Sequence, residues 1–106
     1  MTWYRAAQLN SINQSGLLRA EVGGKEILLI RSGNNLYATS LRCTHENDDL
    51  SSGTLEDGNI VCGFHFATYS PATGEVISPP QDGGEATPLK TYRVKIEGED
   101  IMVEIP

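Results

Sequence analysis

The stretch CTHENDDLSSGTLEDGNIVCGFH, Cys43 to His65, holds both cysteines and both histidines of the 106-residue chain. They stand as two tight pairs, Cys43-x-His45 and Cys62-x-x-His65, with sixteen residues between the pairs. One cysteine or histidine taken alone reads as a packed core or surface residue. Four of them, with none left over, read as a metal site. Each spacing lets one loop turn two donors toward a point, and the intervening residues suffice for a hairpin that sets the two loops side by side. Spacing alone leaves the metal open: a single zinc accepts two cysteines and two histidines, and two irons can divide the same donors, cysteines on one and histidines on the other.

Each pair follows a predicted strand, LYAT (36–39) before the first and NIV (59–61) before the second. Farther out, LLRAEV and EILLIR flank Gly23-Gly24, a glycine pair suited to a tight hairpin turn. TYS (68–70) leaves the second pair before the turn Pro71-Ala72-Thr73-Gly74, and YRVKI and IMVEI alternate around residues 97–100 as a terminal hairpin. Only Ala6 to Asn13 could form a turn or so of helix. Short strands at regular spacing predict an all-β fold, an antiparallel β-sandwich or small barrel. Two stretches lack alternation. Glu46 to Gly58 is acidic and reads as a loop with a short hairpin around Gly53 and Gly58. QDGGEA (81–86), between Pro79-Pro80 and Pro88, reads as a mobile surface loop. With no internal repeat and no linker, residues 1–106 form one domain.

The formal net charge of -6 argues against a nucleic-acid partner, which calls for clustered Lys and Arg, and fits partners that are basic. The opening residues resemble no export signal, and no segment reaches the roughly 20 apolar residues that span a bilayer. The expected setting is therefore a reducing cytoplasm, where paired Cys and His bind metal more often than they form disulfides.

Beyond the four donors, CTHENDDLSSG (43–53) resembles the Rieske pattern C-x-H-x-x-x-x-L-x-x-G, with Leu50 and Gly53 in place. CGFHFATYSPATG (62–74) resembles its second half, with an aromatic at Tyr69 and then Thr73-Gly74. The tail from Val76 to Ile105 is similar to the end of the soluble Rieske-type ferredoxins that serve aromatic-ring dioxygenases. A zinc ribbon asks for none of these extra positions. The resemblance implies a Rieske-type antiparallel β-sandwich with a small cluster-binding subdomain, about residues 42–80, and one [2Fe-2S] cluster. Cys43 and Cys62 would hold the inner iron, and His45 and His65 the outer, more exposed one. Pro79 and Pro80 would form the family's proline loop over the cluster, although a simple strand-ending turn explains them equally well.

Replacing two thiolates with two neutral imidazoles makes the cluster less negative and easier to reduce, hence a range of about -150 to +300 mV against about -400 mV for plant-type ferredoxins. Respiratory members carry an extra cysteine in each loop and a serine that donates to a bridging sulfide. The matching positions here are Asp48, Phe64 and Ala67. Tyr69 stands where the family places a hydroxyl against the first cysteine's sulfur, though as a residue it reads first as a packed core aromatic. Few donors, with Glu46, Asp48 and Asp49 beside His45, imply a potential low in the range. Three positions depart from the family: Gly63 replaces a proline, Phe66 a glycine, and Asn47 a common glycine.

A Rieske oxygenase needs a second iron held by further histidines, and the inventory has none. The expected function is therefore electron transfer and not catalysis. A monomeric one-electron carrier would take electrons from a flavin-containing, NAD(P)H-dependent ferredoxin reductase and pass them to a terminal oxygenase in aromatic hydrocarbon catabolism. Phe64 and Phe66 would flank a docking tip at His45 and His65, unless they pack inward over the cluster, the expected arrangement for Phe64. Rival readings are a Rieske-like subunit of an assimilatory nitrite reductase, a respiratory Rieske protein, which the missing anchor and cysteines disfavour, and a zinc-bound interaction module.

Overall fold

The computed structural model describes residues 2–44 and 47–106. Among them run eleven strands: β1 (Thr2–Gln8), β2 (Leu17–Val22), β3 (Lys25–Ser32), β4 (Asn35–Ser40), β5 (Thr54–Glu56), β6 (Asn59–Val61), β7 (Thr68–Tyr69), β8 (Val76–Ser78), β9 (Thr91–Tyr92), β10 (Val94–Glu97) and β11 (Asp100–Ile105). They form three antiparallel sheets in the orders β1-β11-β10, β2-β3-β4-β9 and β5-β6-β7-β8.

The aliphatic run Ile27-Leu28-Leu29-Ile30 on β3 explains how the sheets stack, since all four side chains are fully buried. A strand sends alternate residues to opposite faces. Ile27 and Leu29 accordingly pack with Val22, Ile101, Val103 and Ile105 against the sheet of β1, β11 and β10. Leu28 and Ile30 pack with Leu50, Ile60, Tyr69 and both cysteines beneath the sheet of β5 to β8. The middle sheet is thus covered on both faces, and each fully buried Leu or Ile contributes about 1.5–3 kcal/mol.

The hairpins of β2–β3 and β10–β11 form where the turn residues place them, pairing Val22 with Lys25 and Glu97 with Asp100. The acidic stretch resolves into a short 3-10 turn, Leu50–Ser52, and the β5–β6 hairpin, which turns at Asp57-Gly58. At the amino terminus the structure departs from expectation. Ala6 to Gln8 belong to β1, which pairs with β11 from Thr2↔Ile105 to Gln8↔Asp100, and only Leu9–Ser11 is helical, as a single 3-10 turn. A register shift between Arg5 and Ala7 breaks the period of two that would have marked this strand. Among the described residues no helix is long and apolar enough to cross a membrane.

Candidate metal centre

The two donor loops share one backbone scaffold. In the first, the amide of Cys43 donates to the carbonyl of Asp48 (2.7 Å) and the amide of Asn47 to that of Cys43 (2.9 Å). In the second, Cys62 donates to Ala67 (2.9 Å) and Phe66 to Cys62 (3.1 Å). The fifth residue of each loop is left-handed, Asn47 at φ 62° and Phe66 at φ 61°. Both departures from glycine therefore keep a glycine-like conformation, and Phe66 does so at a cost, because its Cβ crowds the backbone there. The first loop is closed at its base by the isolated bridge of Arg42 with Asp49, and the second by the pairing of β6 with β7.

The remaining motif positions have physical reasons. Leu50 is fully buried against the cysteines. Gly53 passes so close to β6 that an added Cβ would sit 2.1 Å from the Val61 carbonyl oxygen. Gly74, left-handed at φ 79°, likewise leaves no room beside the Leu89 carbonyl.

Cys43 and Cys62 are 2% and 1% exposed, and neither is in a disulfide. Burial pushes the Cys62 thiol up, the amides of Phe64 and His65 oppose that rise, and the neighbouring Cys43 sulfur adds to it. Tyr69 is both things its position allowed. Its ring is fully buried in the core, and its Oη lies 3.2 Å from Cys43 Sγ. Burial first, then the Cys43 sulfur, pushes its hydroxyl up to about 12, so the proton stays on as a donor. Thr44 Oγ1 lies 3.1 Å from the same Oη, donates to the Thr87 carbonyl (2.7 Å) and accepts from the Thr87 amide (2.9 Å). This clamp fastens the tail segment to the first loop.

His65 turns a solvent-excluded Nδ1 inward. Its Nε2 lies 3.7 Å from Asp82 Oδ2, in a side chain about one-third exposed. The loop after Pro79-Pro80 is anchored at its start. The Gln81 amide donates to the His65 carbonyl (2.8 Å), and Pro80 is buried. The stretch 81–86, expected as a mobile surface loop, does lie at the surface, with residues 81–83 and 85 exposed, and its first residue is tied to the second donor loop, distant in sequence. Phe64 does not pack inward as expected: it is 60% exposed, and Phe66 is 50% exposed. Phe66, Ile77, Pro79 and Val61 line a groove of about 770 Å³ whose rim carries Glu56 and Asp57. Ile77 points outward because β8 takes up an extra residue between Ser78, opposite Thr68, and Val76, opposite Tyr69.

Asp49 points away from the donors. Its carboxylate lies 3.4 Å from Arg19 and accepts from the Ser51 amide (2.8 Å) and hydroxyl (2.6 Å). Arg19 and Arg42 also pair with Glu26 at 2.9 and 3.2 Å. Burial alone would raise the Asp49 carboxyl, but Ser51, Arg19 and Arg42 outweigh it and hold the carboxyl below its ordinary value. Asp48 is half-buried, and His45 and Glu46 lie outside the described residues.

Two buried thiols in contact and an inward-facing imidazole nitrogen suit a cluster that divides soft and borderline donors between two irons. Among the described residues no group of three donors is close enough to hold a single ion. Sequence reasoning missed Thr44, Thr87 and Asp82, whose roles come from contacts across the fold. No local pattern marks Asp82: Gly83 and Gly84 beside it and the proline pair before Gln81 indicate a loop, not the contact with His65.

Comparison with known proteins agrees with this geometry. The Rieske [2Fe-2S] domain matches residues 2–103. The ferredoxin component of a naphthalene 1,2-dioxygenase system from Pseudomonas aeruginosa is 34% identical over 103 residues, covering 97% of this chain and 95% of the relative. The ferredoxin of carbazole 1,9a-dioxygenase from Nocardioides aromaticivorans superposes with a TM-score of 0.88 at 26% identity, covering 100% of both chains. A ferredoxin solved in complex with the oxygenase of carbazole 1,9a-dioxygenase superposes at 0.81 with 28% identity, covering 95% of this chain and 91% of that one. The chain belongs to the Rieske [2Fe-2S] domain family, as a ferredoxin whose cofactor is one Rieske-type [2Fe-2S] cluster.

Proposed function

We propose that this ferredoxin carries single electrons from a flavin-containing, NAD(P)H-dependent reductase to a terminal aromatic-ring oxygenase, with Cys43 and Cys62 holding one iron and His45 and His65 the other. The observation that carries the reading is the pair of matched loops, which bury the two thiols together while leaving the His65 side chain about one-third exposed. When bound, the cluster supplies one-electron redox chemistry. The protein's own part is to shut the thiolates away from water, to present an imidazole edge at the surface and to offer a partner somewhere to dock.

The docking surface in this reading surrounds that edge. Phe64 and Phe66 supply exposed aromatic area, and Glu56 and Asp57 give the neighbouring groove a negative rim. Redox encounters bury little surface, below about 1,200 Å² in total, so charge steering matters to their rate. A monomer with its cluster-binding subdomain at about residues 42–80, working in the cytoplasm, fits this role.

The test is an electron paramagnetic resonance spectrum of the purified, dithionite-reduced holoprotein, repeated on Cys43→Ser, Cys62→Ser, His45→Ala and His65→Ala. The expected signal has the low average g of histidine-ligated [2Fe-2S] centres and is lost or altered in each variant. A silent, colourless protein holding one zinc would sink the reading. Reductase turnover should also fall as salt screens the acidic rim, and independence of ionic strength would remove the steering.

A further inference from the structure

Asp82 is not one of the four proposed ligands, and it lies in a loop whose sequence gives it no evident task. Three contacts place it. The Gln81 amide anchors the loop on the His65 carbonyl at 2.8 Å. Asp82 Oδ1 accepts from the Gly84 amide at 2.9 Å, closing a local turn that fixes the carboxylate plane. The other oxygen, Oδ2, is thereby left facing His65 Nε2 at 3.7 Å, longer than a direct hydrogen bond but close enough for its charge to act on the ring. The backbone holds the ligand and the carboxylate in one unit, so their facing does not depend on two long side chains meeting by chance.

We infer that Asp82 is a positioning residue for the outer ligand, a carboxylate that holds the His65 ring and keeps the reduction potential of the cluster low. A metal-bound histidine commonly has its remote N–H held by a carboxylate, which fixes the tautomer and makes the ring a stronger donor. The buried Nδ1 of His65 and the carboxylate at Nε2 match that division of the two ring nitrogens. A fixed negative charge at the outer ligand also opposes adding an electron to the centre. A protein whose partners accept electrons at low potential gains from both effects. The inference rests on His65 being a ligand, as proposed above.

The test is the midpoint potential of purified holoprotein, measured by protein-film voltammetry, for wild type, Asp82→Asn and Glu97→Gln. Asparagine keeps an acceptor for the Gly84 amide and removes the charge. Glu97→Gln removes one charge from the β10–β11 hairpin in another sheet. Asp82→Asn should raise the midpoint well above the change given by Glu97→Gln. Most of that rise should survive about 0.15 M salt, where the screening length of about 8 Å still exceeds the 3.7 Å between Asp82 and His65 while more remote charges are screened. Equal shifts in the two variants, or a rise that vanishes in salt, would overturn the inference. If Asp82→Asn takes up no iron, Asp82→Ser replaces it, and nitrogen-15 NMR of the oxidised wild type supplies a second readout. The Nε2 proton of His65 should be protected from exchange in the wild type and lose protection in the variant, and its rapid exchange in the wild type would equally defeat the assignment. A wild-type protein with no cluster signal would defeat the ligand assignment itself, whereas a normal cluster signal with an unmoved midpoint defeats only the role of Asp82.

Discussion

The phenolic oxygen of Tyr69 lies 3.2 Å from the sulfur of Cys43, and the same ring is sealed into the core shared by Leu28, Ile60 and Leu89. The contact joins packing to redox tuning, because removing the hydroxyl leaves the ring in place. Tyr69→Phe should fold and take up the cluster normally but show a midpoint lower by tens of millivolts. A hydrogen bond worth about 1 kcal/mol favours the more negative, reduced state, and about 59 mV corresponds to a factor of ten for one electron. Voltammetry on the two holoproteins checks the sign and size.

The absolute midpoint follows from the same inventory. Phe64 and Ala67 stand where the respiratory members place a cysteine and a serine donor, and Asp82 adds negative charge at His65. A redox titration should give a value in the lower part of the span of about -150 to +300 mV known for such centres, and one above about +200 mV would defeat the reading.

Phe66 tests whether backbone strain is retained for docking. Its left-handed φ of 61° suits glycine, and its side chain is 50% exposed on the groove beside Ile77. Phe66→Gly should raise stability in denaturant melts by up to about 1 kcal/mol. It should raise the KM of the oxygenase for the ferredoxin while leaving kcat and the midpoint unchanged.

Gly53 has no such latitude. A methyl group there would meet the Val61 carbonyl at 2.1 Å, and the obstacle is backbone that cannot rotate away. Gly53→Ala should cost about 1–3 kcal/mol and reduce cluster occupancy, read from the visible absorbance per protein.

Asp49 gives the pH prediction. Its carboxyl is held below the ordinary value of about 3.9, so the stability it contributes is present above that value and disappears as pH falls through the lower, folded-state value. At neutral pH, Asp49→Ala should cost about 1–2 kcal/mol, through the lost cap on the Leu50–Ser52 turn and the exposed pair with Arg19. Asp49→Asn, which can still cap, should cost less. Melts followed by the fluorescence of Trp3 should show the gap between wild type and Asp49→Ala narrowing below about pH 4.

What could be read from the chain was what local chemistry encodes. The run Ile27 to Ile30, the glycine pair before Lys25 and the spacing of Cys43, His45, Cys62 and His65 each announce themselves within a few residues. β1 did not. Its partner is the far end of the chain, Thr2 against Ile105, and the irregularity at Arg5 to Ala7 erases its alternation. Asp82 was hidden for a related reason: its orientation depends on the Gln81 amide reaching the His65 carbonyl, a contact that no pattern in QDGGEA specifies. The outward turn of Phe64 was also beyond the sequence, since an aromatic beside a donor pair suits either a lid or an exposed face.

The matched donor loops bear on how the holoprotein is assembled. Each loop brings one cysteine and one histidine, so in the proposed ligand set each iron must take one ligand from either side. Neither loop can retain an iron alone. The inorganic centre then acts as a double cross-link closing the chain between residues 43 and 65, and by loop entropy a cross-link over some 20 residues restrains the unfolded chain by about 3 kcal/mol. Iron delivery would then fasten both loops at once, and a chain that loses its iron would lose that cross-link along with its colour.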